Sequence, residues 1–133
     1  MADVREGGCL CGNARYSIDV EDGEIGNCHC TICRKHSGAP YETYINVKAD
    51  KFQWVTEPKG YIKTGDESGR QFCKNCGTPL SFLSETSPEE VSITAATIDD
   101  PSGLIAQYEI YTSTRMDGVP PVAGAKQFAL GGE

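Results

Sequence analysis

The chain has 133 residues, which is enough for one domain, spanning 1–133, with a hydrophobic core of its own. It carries 12 lysines and arginines against 19 aspartates and glutamates, and the resulting net charge of −7 argues against binding to nucleic acid or to an anionic membrane surface. No apolar run is long enough for a transmembrane helix, and the N-terminus lacks the apolar stretch of a secretory signal, so we expect a cytoplasmic location.

Short strands separated by turns are predicted along most of the chain, and no long helix is predicted. Residues 14–20 alternate apolar and polar side chains with the two-residue period of a half-buried strand, and the acidic residues 21–26 then predict a turn. Residues 65–69 are typical of a hairpin loop. The remaining predicted strands cover residues 41–47, 52–55, 61–63, 70–73, 80–83, 91–98 and 107–112. This pattern indicates a mostly β fold, and the spacing of the turns favours a sandwich or a partly open barrel.

The C-terminal residues 117–133 are rich in Gly and Pro and show no apolar period. We expect them to form an irregular segment that folds back through Phe128 and Leu130. No internal repeat or linker divides the chain, so a single domain is expected.

Seven cysteines are a high and odd number for this length, whereas a framework of disulfides usually uses an even number. Disulfides also do not persist in a reducing cytosol. The cysteines are clustered at spacings of two and three residues, which suits metal ligands. They are Cys9, Cys11, Cys28, Cys30, Cys33, Cys73 and Cys76. The pattern predicts metal binding, with buried or redox-active thiols as the alternative.

One predicted site combines the first and last cysteine clusters. Cys73 and Cys76 flank a two-residue turn followed by Gly77, whose freedom to adopt a left-handed backbone suits a zinc knuckle. Cys9 and Cys11 point to the same side of an extended chain and can supply the other two sulfurs. Four thiolates around one ion would form a closed, structural zinc site that stabilises the fold.

The remaining cluster, Cys28, Cys30 and Cys33, supplies three sulfurs within a short segment. Three protein ligands with a fourth position left open are typical of a catalytic zinc. His29 lies between two of the ligands, so its side chain is expected to point away from them. His36 could instead close the site as a fourth, structural ligand, and spacing alone leaves other partitions of the seven sulfurs open.

Two cations, Arg34 and Lys35, follow this cluster directly. In an acidic chain they are candidates to offset the negative charge of a zinc bound by three thiolates, or to hold a carboxylate of a substrate. The alternative is that both are solvated surface charges. Arg70 and Lys74, beside the knuckle, could extend the same positive patch.

The cysteines and the residues between them form a recognisable pattern in four segments. These segments are Gly8–Gly12, Cys28–Lys35 with Gly38, Arg70–Leu80 and Thr97–Pro101. Over about residues 7–115 the pattern resembles the glutathione-dependent formaldehyde-activating enzyme family, which includes centromere protein V. The resemblance implies a β-tent fold, which is a zinc-ribbon-like single domain of short antiparallel sheets.

The resemblance also implies two zincs per chain and a carbon–sulfur lyase activity. The structural zinc would be held by Cys9, Cys11, Cys73 and Cys76, and the catalytic-type zinc by Cys28, Cys30 and Cys33. The activity joins formaldehyde to the thiol of glutathione and gives S-hydroxymethylglutathione, so the partner would be a small molecule. An open position on zinc can lower the pKa of a thiol or polarise the aldehyde oxygen, and Arg34 and Lys35 could hold glutathione carboxylates. Candidates for moving the proton are Tyr41, Glu42 and His36.

A non-catalytic zinc module, which binds a protein partner or buffers metal, is the alternative function. It requires a closed middle site in which His36, Glu42 or another side chain is the fourth ligand.

The chain departs from the family in its last third. Many members carry a His-Ile pair in the late strand and a Trp shortly after, where this chain has Glu109–Ile110, and its one Trp is Trp54. Residues 116–120 also match weakly. The resemblance therefore supports the metal sites more strongly than the identity of the substrate.

Overall fold

The computed structural model describes residues 1–131 and shows a mostly β chain with one short helix in that range. The strands are β1 (Val4–Gly8), β2 (Arg15–Asp19), β3 (Glu24–Cys28), β4 (Glu42–Lys48), β5 (Phe52–Thr56), β6 (Lys59–Gly65), β7 (Ser68–Cys73), β8 (Pro79–Ser84), β9 (Glu90–Thr94), β10 (Tyr108–Ile110) and β11 (Lys126–Gln127). The helix α1 covers Thr31–Ser37, and short 3-10 turns cover Ala49–Lys51, Ala95–Thr97 and Thr112–Thr114. The described residues contain no helix with the length and apolarity needed to cross a membrane.

The strands form two sheets. The smaller sheet has three strands in the order β1-β2-β5, and the larger has eight in the order β11-β10-β3-β4-β9-β8-β7-β6. Neighbouring strands are antiparallel except at β10, which runs parallel to both β3 and β11. Within the described range neither sheet closes into a barrel, because β11 and β6 stay at opposite edges of the larger sheet. The predicted mostly β class is confirmed, whereas the partly open barrel favoured by turn spacing is not formed.

The two sheets share one apolar core. Tyr16 and Ile18 of β2 are fully buried, as the two-residue period predicts. The ring of Tyr16 packs against Phe52 and Trp54 of β5, and its hydroxyl is hydrogen-bonded to Thr97 at 2.6 Å. The larger sheet contributes Ile25, Ile45, Val47, Leu80, Val91 and Ile93. This core fixes the relative positions of the ends of β1, β3 and β7, and a cysteine lies at or next to each of these ends.

Several predicted boundaries differ from the structure, and two of them have a clear local cause. Strand β3 begins at Glu24, inside the predicted turn, because a hydrogen bond from the Gly23 N–H to the Val20 carbonyl at 3.0 Å already reverses the chain. The strand predicted over 91–98 ends at Thr94, because the next three residues form a 3-10 turn that is closed by a backbone hydrogen bond of 3.1 Å.

The C-terminal segment folds back along β10. The N–H of Phe128 donates to the Glu109 carbonyl at 2.9 Å, and the N–H of Tyr111 donates to the Leu130 carbonyl at 3.0 Å. The backbone of Leu130 makes this contact, since its side chain is 60% exposed. Residues 132–133 of the predicted irregular segment lie outside the described residues. These hydrogen bonds hold the C-terminal segment beside β10, whose other neighbour is β3, the strand that ends at Cys28.

Candidate metal centres and pocket

The structure brings the seven sulfurs together in two groups, and within each group all sulfurs lie within 4.8 Å of one another. The first group is Cys9, Cys11, Cys73 and Cys76, and the second group is Cys28, Cys30 and Cys33. All seven are free thiols, and a contact such as the 3.6 Å between the Cys9 and Cys11 sulfurs is far longer than a disulfide bond of about 2.05 Å. Both groups therefore have the geometry of metal ligands rather than of cross-links.

The first group links the two sheets. Cys9 follows β1 of the smaller sheet, and Cys73 ends β7 of the larger one. Cys76 lies in the turn after β7, where Gly77 has a φ of 82° and donates its N–H to the Cys73 carbonyl at 2.7 Å. This left-handed position favours glycine, as the knuckle pattern predicts. An ion in this group would tie one sheet to the other.

Several donors point at the sulfurs of the first group. The N–H of Ala14 lies 3.2 Å from the Cys9 sulfur, and the N–H of Cys76 lies 3.5 Å from the Cys73 sulfur. The Thr78 hydroxyl, 3.2 Å from the Cys76 sulfur, acts together with backbone hydrogen bonds to lower the pKa of the Cys76 thiol to about 5. These contacts favour thiolates, the form in which cysteine binds a metal, so the four sulfurs fit a closed zinc site.

The second group lies where β3 meets α1. Cys28 is the last residue of β3, Cys30 is the N-cap of α1, and Cys33 lies within the helix. The Cys30 sulfur caps the helix by accepting the N–H of Cys33 at 3.3 Å. Cys28 and Cys33 are buried, and Cys30 is partly exposed. One short junction between strand and helix thus gathers all three sulfurs.

The three thiols of the second group perturb one another. Hydrogen bonding with Cys30 and Cys33, together with burial, raises the pKa of Cys28, whereas hydrogen bonds with Cys28 and Cys33 lower the pKa of Cys30 to about 2. The hydrogen bond with Cys28 lowers the pKa of Cys33, but contact with Cys30 and burial outweigh it and raise that pKa to about 11. The crowded sulfurs cannot all be thiolates without a cation among them, so this donor set fits a zinc ion.

A buried ion pair lies against the second group. The guanidinium of Arg70, on β7, donates to Glu42 Oε1 at 2.7 Å and to the Cys33 sulfur at 3.4 Å. The Tyr44 hydroxyl donates to the same Glu42 oxygen at 2.7 Å. Burial raises the pKa of Glu42, while the contacts with Tyr44 and Arg70 oppose the rise. Arg70 offsets negative charge at Cys33, and so belongs to the positive patch that the sequence suggested for it.

A pocket of about 390 Å³ opens beside the second group. All three cysteines of that group line it, together with Arg70. The other walls are aromatic, aliphatic or uncharged polar, and they include Ile32, Tyr44, Asn46, Phe82, Ser92, Tyr108 and Ile110. The volume is in the range of pockets that bind small molecules.

The predicted cations lie elsewhere. Arg34 and Lys35 are in the last turn of α1 and are not among the residues that line the pocket. Within the described residues, the charged side chain of the pocket wall is Arg70 instead. Contact between the substrate and Arg34 or Lys35 stays a prediction.

Among residues 1–131, no histidine or carboxylate joins the second group as a fourth ligand. The ring of His36 lies against Phe72, with the two centroids 6.4 Å apart. Tyr41 lies against the ring of His29, with centroids 4.9 Å apart. The second group therefore presents three protein ligands to a bound metal, and all three line the pocket.

His29 points away from the sulfurs, as predicted, and ends at the buried carboxylate of Glu109. Its Nε2–H donates to Glu109 Oε1 at 2.7 Å, and the Asn27 amide donates to the same oxygen at 3.1 Å. The other carboxylate oxygen accepts hydrogen bonds from Arg115, from the N–H of Val122 and from Gln127, at 3.1, 2.9 and 2.8 Å. Burial raises the pKa of Glu109, but the hydrogen bonds, led by that of His29, outweigh it and lower the pKa to about 2. This carboxylate, absent from the family pattern, fastens the C-terminal segment to the strand that carries Cys28.

Comparisons with known proteins agree with this picture. Residues 4–114 match the model of a family described as glutathione-dependent formaldehyde-activating enzyme. An uncharacterized lyase of Schizosaccharomyces pombe is 31% identical over 77 residues, which cover 58% of this chain and 56% of that protein, so the match spans little more than half of its length. A crystal structure of a Rhodobacter sphaeroides protein shares the fold with a TM-score of 0.60 at 20% identity, over 92% of this chain and 98% of that one.

Proposed function

The chain belongs to the glutathione-dependent formaldehyde-activating enzyme family, and from this we propose that it is a zinc-dependent carbon–sulfur lyase that acts on a thiol–aldehyde adduct. The pair named by the family, glutathione and formaldehyde, is the proposed substrate pair, with S-hydroxymethylglutathione as the adduct. The lyase class is shared with the Schizosaccharomyces pombe relative, which supports the same reaction type.

The observation that carries the proposal is the second sulfur group at the wall of the pocket. Three sulfurs within 4.8 Å of one another supply three ligands, and the described residues supply no fourth. A non-catalytic module would need that fourth side chain. An open position that faces a pocket of small-molecule size instead suits a reaction at the metal.

In this proposal the residues around the second group have distinct roles. Cys28, Cys30 and Cys33 would hold the ion, and Arg70 keeps Cys33 in place and offsets its charge. A zinc ion held there would lower the pKa of a bound thiol or polarise an aldehyde oxygen. The apolar walls, such as Phe82 and Ile110, would limit the access of water to a bound substrate.

The reaction balances without a further reactant. The thiol sulfur forms a bond to the aldehyde carbon while the carbon–oxygen double bond becomes a single bond. The proton of the thiol ends on the new hydroxyl oxygen. The reverse reaction breaks the carbon–sulfur bond and returns the proton to sulfur.

The first group would hold a second, structural zinc. Its four sulfurs come from both sheets, so metal binding there would stabilise the packing of one sheet on the other. The proposed content is therefore two zincs per chain with unequal roles.

Following adduct formation from glutathione and formaldehyde by NMR, with and without enzyme, tests the proposal. The expected result is a rate above the uncatalysed one that rises in proportion to enzyme and disappears in Cys30→Ser. No acceleration at any enzyme concentration, with glutathione or with any other thiol, would reject the lyase assignment proposed here.

A further inference from the structure

The pocket extends from the second sulfur group along one face of the larger sheet. Cys28 lies opposite Glu42 of β4, whereas Asn46 lies opposite Glu24, at the other end of β3. These positions are four residues apart along the strand, which corresponds to about 13 Å. A ligand whose sulfur meets the second group therefore needs about this length to reach Asn46 with its other end.

The far end of the pocket offers uncharged hydrogen-bonding groups. The Asn46 side-chain NH₂ donates to the Tyr108 hydroxyl oxygen at 2.8 Å, and its carbonyl oxygen accepts from the Ser92 hydroxyl. Tyr108 can therefore donate its own hydroxyl proton, and the oxygen of Ser92 can still accept. A donor and an acceptor side by side match an amide or a hydroxyl group.

Within residues 1–131 the one cation in the pocket wall is the buried Arg70. Both of its terminal nitrogens are already engaged, one with a glutamate and the other with the Cys33 sulfur. A divalent ion held by three thiolates would leave one net negative charge at the near end. Beyond Tyr108, a neighbouring depression is lined by one acidic residue, Glu24, and one basic residue, Lys126, so it adds no net charge. A ligand carboxylate buried in the pocket would lose its hydration without gaining a partner.

We propose that this pocket selects thiols that lack carboxylates and carry an amide or hydroxyl group about 13 Å from the sulfur, in preference to glutathione. This inference rests on the proposed function, because it places the sulfur of the substrate at the second group. The carbon–sulfur bond and the transferred proton are the same as for glutathione. Glutathione, with two carboxylates, is accepted with lower affinity.

Thioethers that cannot react test the preference of the pocket apart from the chemistry. Calorimetric titration of the zinc-loaded protein with S-methylglutathione, with its diamide and with S-methylpantetheine gives three affinities. The diamide replaces both carboxylates by carboxamides of nearly the same shape. We expect the two ligands that lack carboxylates to bind at least about tenfold more tightly than S-methylglutathione, which carries the same amino group as its diamide. Equal or tighter binding of S-methylglutathione would overturn the inference.

Asn46→Leu removes the side chain whose hydrogen bonds orient the Tyr108 and Ser92 hydroxyls at the far end. The affinity for S-methylpantetheine should fall about tenfold, while that for 2-(methylthio)ethanol, which is too short to reach residue 46, should stay the same in an NMR titration. Ser92→Ala, a smaller change, should shift the two affinities in the same pattern if Asn46→Leu does not fold. A loss that is equal for long and short ligands, or absent for both, would count against the inference.

The rate of formaldehyde addition to the free thiols, measured with and without enzyme, distinguishes a failure of this inference from a failure of the proposed function. If no thiol reacts faster with the enzyme but the thioether preference holds, the lyase proposal is wrong and the pocket preference stands. If glutathione is accelerated and its thioether binds as well as the diamide, the lyase proposal stands and the preference is wrong.

Discussion

Replacing the buried Glu109 by the isosteric Gln should loosen the C-terminal segment without touching either sulfur group. The carboxylate accepts five hydrogen bonds, two from residues that flank Cys28, one from Arg115 and two from the C-terminal segment. A glutamine keeps one acceptor oxygen, but whichever way it is turned, its NH₂ group faces other donors. Glu109→Gln therefore leaves buried donors without an acceptor, which is the unfavourable case for a lost hydrogen bond.

The expected magnitude is about 3 kcal/mol of unfolding free energy. A pKa lowered from 4.5 to about 2 corresponds to about 3 kcal/mol in favour of the charged carboxylate of the folded state. Hydrogen bonds to a charged group contribute about 1.5–3 kcal/mol each, so the loss of one or two of them gives a change of the same size. The ratio of unfolded to folded protein would rise roughly 100-fold.

Urea denaturation at pH 7 and at a fixed free zinc concentration measures the change. Glu89→Gln is the matched control, because Glu89 is exposed and its carboxylate makes no hydrogen bond within the described part of the chain. Hydrogen exchange of the Val122 and Phe128 amides, which are bonded to Glu109, should accelerate in Glu109→Gln only. A stability within about 0.5 kcal/mol of the control would refute this role of the carboxylate.

The remaining predictions concern the two sulfur groups, the buried ion pair, the pocket wall and acid pH. Cys73→Ser should unfold much of the chain, whereas Cys30→Ser should keep the fold and lose activity and one zinc. Circular dichroism compares the folding of the two variants, and elemental analysis compares their zinc content. Equal unfolding of both would contradict the division into a structural and a catalytic metal site. Arg70→Met should lower the unfolding free energy by about 3–5 kcal/mol, because it leaves Glu42 buried without its cation. In urea denaturation, the double variant with Glu42→Gln should recover most of this loss. If the losses of the two substitutions add up instead, the two side chains do not act as a pair. Gly26→Ala places a Cβ inside the contact distance of the Tyr108 ring in the pocket wall, so stability should fall by about 1–3 kcal/mol. The affinity for a pocket ligand, measured by calorimetry, should fall as well. An unchanged affinity would mean that this ring does not shape the pocket. Because the pKa of the Glu109 carboxyl is lowered to about 2, its contribution is complete above about pH 4.5 and is lost as the pH falls towards 2. The difference between the wild type and Glu109→Gln should fall by about half by pH 3 in urea titrations, and a constant difference would assign the effect to packing rather than charge.

Local periodicity was sufficient for strands whose two faces differ. In β2 the buried Tyr16 and Ile18 alternate with less buried residues, so the sequence predicts the strand. In β3 the four residues from Ile25 to Cys28 are all buried, so no alternation marks it. The parallel pairing of Tyr108 with Gly26 joins distant parts of the chain, and no local pattern encodes it.

The three cysteine clusters were within reach of sequence reasoning because the members of each are close in sequence and joined by short turns. Spacing alone left open which clusters share an ion, since Cys11 and Cys73 are 62 positions apart. The pairing of Arg70 with Glu42 was not, since the two residues lie 28 positions apart and meet through the register of the larger sheet. His29 and Glu109, 80 positions apart, meet for the same reason. Closeness in sequence predicts the position of a single charged side chain less well than that of a cysteine cluster. Arg34 and Lys35 follow Cys33 directly, but the helix that begins after Cys30 determines where their side chains point.

If the proposal is right, the second sulfur group holds a metal with one position open to a thiol. Replacing zinc by cobalt allows thiol binding at that position to be followed by absorption spectroscopy. Thiolate–cobalt bonds absorb in the near ultraviolet, so titration of the cobalt protein with pantetheine should raise this absorbance until one thiol is bound per chain. The rise should be absent in Cys30→Ser. An unchanged spectrum on titration, or an equal rise in Cys30→Ser, would contradict an open metal at this group.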